Sequence, residues 1–206
     1  ATKKSPFSRR SPSRRQPLAY PSTERSHNTE NVRNMAKTDY AANAGSHYYA
    51  GAGPNINCLQ TYPDCGWRHD LQFLQNQFDG VTGQLSEIKA AQVSDGASRT
   101  LMLGEKYLNP VNYETGRCGG DNNSMYQGHD RDIVRWVPNI ELPPDHMEYR
   151  LHLPLADTEL EDRGYSHRFG SAHSAGFNAT FVDGSTHTLA YDIDKVAGIF
   201  VGSISG

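Results

Sequence analysis

The stretch Phe177–Tyr191 (FNATFVDGSTHTLAY) constrains the fold of this chain more than any other. Two runs rich in β-branched and aromatic residues flank Asp183-Gly184, a dipeptide favoured in two-residue type I′ turns. The pattern predicts a β-hairpin with Asp183 and Gly184 at its tip and Thr180 facing His187. Phe177, Ala179 and Phe181 then share one face, because side chains alternate along a strand. An isolated hairpin is marginal in water, so further strands are needed. Arg99–Tyr107 (RTLMLGEKY) is mostly apolar and reads as a strand buried on both faces. Ile133–Val137 reads as a short strand ended by Pro138.

Helical signals are sparse. Asp70–Phe78 places Leu71, Leu74 and Phe78 at helical spacing behind Asp70 as an N-cap. Ser86–Val93 is a second short helix candidate, with Ile88, Ala91 and Val93 facing inward and Ser94-Asp95-Gly96 stopping it. Thr38–Gly53 is rich in Ala, Gly and Tyr; its small residues suit close backbone approach, and Asn43 and Gly45 suit turns. Polar loops are expected over 109–132 and 138–165, the second treated as an extended insertion marked by Pro143-Pro144 and Pro154. The fold class that follows is α+β, an antiparallel β-sheet with short helices and long loops.

Charge is distributed unevenly. Residues 1–37 hold nine Lys/Arg against two acids, and the remainder holds 11 basic against 21 acidic residues. The first segment also carries Pro6, Pro12, Pro17 and Pro21 and few apolar residues, so it reads as an irregular arm. A basic arm could contact phosphates, but it offers only Phe7 and Tyr20 for base stacking, and the acidic body opposes nucleic acid; none is expected as a partner. No window approaches the ~20 apolar residues of a membrane-spanning helix.

Several constellations could carry chemistry. His167, His173, Asp183 and His187 crowd the last third and suggest a metal-dependent hydrolase. The hairpin geometry argues against one shared site, since it puts Asp183 at the tip and His173 at the far end of the strand, within reach of Asp194. Asp121, Asn123, Asp130 and Asp132 form an oxygen-rich loop that could hold Ca²⁺, although Met125 and Asp132 break the EF-hand template. Together with Trp67, Trp136 and the tyrosines, that loop suggests a Ca²⁺-stabilised module for carbohydrate. Three cysteines exclude complete internal pairing. A Cys58–Cys65 disulfide and three reduced thiols both fit, and Cys58, Cys65, His69 and Cys118 could form a zinc set without the usual tight spacing. No G-x-S-x-G, dinucleotide-binding or P-loop pattern occurs.

Five blocks in order resemble one family. Ser11-Pro12-Ser13-Arg14-Arg15 is similar to its Cys-Pro-Ser-Arg-Arg, with Ser in place of Cys. Thr38-Asp39-Tyr40-Ala41-Ala42-Asn43-Ala44-Gly45 matches its T-D-Y-A-x-N-x-G block. Asp95–Thr100 through Gly104-Glu105-Lys106-Tyr107 resembles its D-G-x-S-x-T and G-E-K stretch. Gly120-Asp121-Asn122 with Gly128-His129-Asp130-Arg131-Asp132 resembles its polar loop, and His173, nine residues, then Asp183-Gly184 its His-x₉-Asp-Gly motif. The family is the bacterial domain of unknown function 1559, whose members resemble type IV prepilins and pseudopilins at their start.

The resemblance implies a pilin-like domain over 11–206, preceded by a basic, irregular tail at 1–10. It implies an extracytoplasmic place at the cell envelope or surface, and a non-enzymatic structural or binding role. Other pilin-like subunits or envelope components are the implied partners. Membrane contact is expected only through the family's N-terminal helix, which is not among the residues given. His173, Asp183 and Gly184 carry over as signature positions without assigned chemistry. The alternatives remain the Ca²⁺-stabilised carbohydrate module and the His/Asp hydrolase.

Overall fold

The computed structural model describes residues 19–21, 34–48, 56–61, 64–65, 78–84, 86–158 and 165–192. In chain order the elements are β1 (Ala19–Pro21), β2 (Asn34–Ala36), β3 (Tyr40–Asn43), α1 (Ile56–Thr61), β4 (Leu101–Glu105), β5 (Val134–Arg135), α2 (Met147–His152), β6 (Leu155–Ala156), β7 (Gly170–Ser171), β8 (Gly176–Phe181) and β9 (Thr186–Ala190). No helix among the described residues is long and apolar enough to cross a membrane.

Five strands form the main sheet in the order β5-β3-β4-β8-β9. It is mixed: β3 pairs antiparallel with β4 but parallel with β5, so the expected purely antiparallel sheet is corrected. The sequence reading also missed β3, because Ala-rich Tyr40–Asn43 has weak strand propensity. Its smallness is what places it there. Ala41 lies opposite Gly104, and a Cβ on Gly104 would sit 2.8 Å from the Phe169 ring, so this row admits only small side chains. Over it pack Leu101, Val137, Phe169, Phe177, Ala179, Phe181 and Leu189, the main apolar core. Full burial of each large member contributes roughly 1.5–3 kcal/mol. The opposite face stays partly open: Leu103 is 37 % exposed and Tyr40 49 %. β4 is therefore central in the sheet but not buried on both faces, as its apolar sequence had suggested.

The hairpin forms, with a different turn. Ala179 pairs with His187 and Thr180 with Thr186, one residue away from the predicted register. Phe181 N–H donates to Ser185 O at 2.9 Å, so three residues, Val182-Asp183-Gly184, make the loop. Gly184 adopts φ +85° at its third position, the left-handed residue that a three-residue hairpin loop requires.

Two further expectations are corrected. Ser86–Val93 is not an α-helix; only a 3₁₀ turn at Ala90–Gln92 forms, with Ala91 exposed and Val93 buried. The segment 138–165 is not simply an extended insertion, because it contains α2 and β6. Pro143-Pro144 and Pro154 bracket α2, whose Tyr149 and His152, three apart, form its buried face. Likewise, the first 37 residues are not irregular throughout: Ala19–Pro21 pairs antiparallel with Asn34–Ala36. Residues 70–77 of the predicted Asp70–Phe78 helix lie outside the described residues.

Candidate functional site

Four of the five sequence blocks meet around Glu105-Lys106, at the end of β4. Strand alternation sends these two side chains to opposite faces. On the open face, Glu105 Oε2 accepts from Asn178 N–H at 2.7 Å, and Oε1 lies 3.8 Å from His173 Nε2. Tyr40 is its cross-strand neighbour. On the core side, Lys106 is 1 % exposed. Its ammonium donates to Asp121 Oδ1 at 2.9 Å, Asp132 O at 2.8 Å and Gly120 O at 3.1 Å. Burial lowers the Lys106 pKa, with Asp121 opposing the shift and Arg135 adding to it. All three ammonium donors have acceptors, an arrangement suited to holding a loop rather than to proton transfer.

The 116–132 loop is fastened at more points. Arg135, fully buried on β5, donates to the carbonyls of Gly120 (3.1 Å), Val134 (2.9 Å), Arg168 (3.0 Å) and Arg131. Asp132 accepts from Asn123 N–H at 2.6 Å and from Asn123 Nδ2 at 3.2 Å. Its carboxyl is pushed up to about 7, by burial first and then by Asp130, while the Asn123 bond opposes. Lys37 donates to Asn123 O at 2.7 Å, and Met125 N–H to Ala36 O at 2.8 Å, so the end of the basic segment docks on this loop.

A second cluster lies beside the first. Trp136 and His152 are almost fully buried, and their rings stand 6.4 Å apart. His167 is 5.7 Å from Trp136 and 6.2 Å from His152. Tyr48 stacks on His167 at 4.3 Å and meets Trp136 at 4.7 Å. Trp136 Nε1, His152 Nδ1, His167 Nε2 and Ser166 Oγ are buried polar atoms with no hydrogen-bond partner among the described residues. Each such orphan costs about 1–3 kcal/mol, so the three on the neighbouring rings of Trp136, His152 and His167 require an explanation. Both imidazoles are held neutral. Burial and then Arg168 lower His152 to about 4, and burial followed by His152 and Arg131 lowers His167 to about 3.

The positions singled out from sequence are now placed. Asp183 and Gly184 are turn residues, with Asp183 Oδ1 accepting from Ser185 N–H at 2.9 Å and Ser185 Oγ at 2.7 Å. Those bonds lower the Asp183 pKa. His173 stands at the other end of β8, where its backbone N–H donates to Ser171 Oγ at 3.0 Å. Asp194 lies outside the described residues, and the carboxylate next to His173 is Glu105. His167, His173 and His187 have separate surroundings, since His187 packs edge-on against Phe181 at 5.5 Å. Asp121, Asn123, Asp130 and Asp132 share one loop, but Asp121 faces Lys106 and Asp132 faces Asn123. Among the described residues no group of three or more His, Cys, Asp or Glu is arranged to hold a metal ion. Cys58 and Cys65 form a disulfide, Cα atoms 4.9 Å apart, which overturns the zinc set. Cys118 is buried and outside that bond.

Sequence reasoning missed Lys106, Arg135, His152 and the His167–Trp136 contact. Arg135 carried the clearest local signal, as the one charge in the apolar run Ile133–Val137, whereas Lys106 stands next to Glu105. No curated protein and no solved structure matches the chain. One family model does, over residues 5–196, and on that match the chain belongs to the family described as protein of unknown function (DUF1559).

Proposed function

We propose that this chain is a non-enzymatic, extracytoplasmic domain of pilin or pseudopilin type, with a structural or binding role at the cell envelope. The observation that carries this reading is the use made of the signature residues. Asp183 and Gly184 build the hairpin tip, His173 sits in the connection between β7 and β8, and Lys106 and Asp121 lock the polar loop. Each is engaged in holding backbone in place. The Cys58–Cys65 disulfide adds support, since such bonds persist mainly in oxidising compartments. Partners of this reading are other pilin-like subunits or envelope components, contacted through the loops and the open sheet face.

Cell fractionation with thiol alkylation tests it. The full-length gene product should appear in the envelope or surface fraction, with Cys58 and Cys65 protected from alkylation until a reductant is added. A cytosolic protein with both thiols reactive would overturn the reading.

A further inference from the structure

The cluster around Trp136 is unused by the scaffold role, and its orphaned atoms define what could enter it. Trp136 Nε1 is a donor only. His152 is neutral, and its interaction with the Val137 backbone favours the tautomer that leaves Nδ1 as an acceptor. The entering group must therefore accept a hydrogen bond and donate one at close quarters. A carboxylate or phosphate would set its charge against the His152 lone pair. A metal cation would meet the Trp136 N–H and the guanidinium groups of Arg131, Arg135 and Arg168, whose positive charge already acts on this site. A hydroxyl group meets the requirement.

At the solvent side lies Tyr48, 41 % exposed, stacked on His167 and beside Trp136. Its ring offers an apolar face next to buried polar atoms, which suits a ligand with C–H faces and hydroxyl edges. We infer that Tyr48, Trp136, His152 and His167 form a binding site for a saccharide, with hydroxyls paired to the buried nitrogens and a sugar face on Tyr48. This inference rests on the binding half of the role proposed above. It is tested on purified protein, so its failure would leave the envelope reading to the fractionation result.

The probe is the Trp136 indole N–H resonance of ¹⁵N-labelled protein, titrated separately with glucose, galactose and N-acetylglucosamine. Trp136→Phe assigns the signal; if that variant fails to fold, Trp67→Phe leaves a single indole and assigns it instead. At least one sugar should shift the resonance saturably. Tyr48→Ala, a change at an exposed ring, should weaken that binding at least tenfold. The inference is overturned if no sugar moves the resonance, which would mean a cluster satisfied by water alone. It is equally overturned if acetate, phosphate or zinc moves it in place of the sugars, or if Tyr48→Ala binds as tightly as the parent.

Discussion

Lys106 shows how a single buried charge can organise a loop. It reaches three oxygens contributed by residues 14 to 26 positions away. Replacing it with Met removes the cation facing Asp121 and should cost about 3–5 kcal/mol in urea unfolding. Lys106→Met with Asp121→Leu should recover part of that loss, and no recovery would show that the pair is not coupled. Three other groups set the pH dependence. Asp132 moves from 3.8 to about 7 on folding, so between those values the folded chain keeps a proton that the unfolded chain has lost. Its contribution therefore falls as pH rises through that window. His152 and His167 fall from 6.5 to about 4 and about 3, so acidification below 6.5 protonates the unfolded chain first and destabilises the fold. Two groups outweigh one, and Tm should fall between pH 6.5 and 5. In His152→Gln/His167→Gln the Asp132 slope alone remains, and Tm should rise over the same interval. Equal slopes in both proteins would refute the assignment.

Among the elements, β8 and β9 are the most sharply specified, and two glycines in them differ in kind. A Cβ at Gly184 meets no atom within 4 Å, so Gly184→Ala is charged only the left-handed backbone cost, about 1–2 kcal/mol. A Cβ at Gly176 would sit 2.2 Å from Leu189 O, backbone that cannot swing aside. Gly176→Ala should therefore lower the urea midpoint well beyond Gly184→Ala; the reverse order would contradict the packing described. Much of this hairpin was legible in the sequence. Its strands, its tip residues and the face shared by Phe177, Ala179 and Phe181 were all readable from alternation and turn chemistry. The register was not, because Asp-Gly serves both two- and three-residue loops. Leu189 held the missing signal: only the three-residue loop sets it opposite Phe177, inside the core. β3 was illegible for a different reason. Its Ala41 lies opposite Gly104, where Phe169 presses close, a contact across distant sequence.

For the molecule as a whole, what the sequence could not disclose is non-local. Trp136, His152 and His167 come from β5's end, α2 and the turn before β7, and no spacing rule unites them. The same holds for the loop lock, where Lys106, Asp121, Asp132 and Arg135 meet only once the sheet has formed. Four of the ordered blocks do converge in space, on Glu105-Lys106. The uneven charge acquires a partial structural meaning too: Lys37, last cation of the basic segment, is buried against the acidic loop. The loop at Val182-Asp183-Gly184 has a consequence that reaches across the whole fold. It acts as a parity bit. One residue fewer would turn β9 over, moving Leu189 out to the open face and His187 away from the core side. Two residues more or fewer would restore the original sense. Among related chains, length changes at this tip should therefore come in even steps, and an odd step should be accompanied by a β9 whose apolar and polar positions have exchanged places.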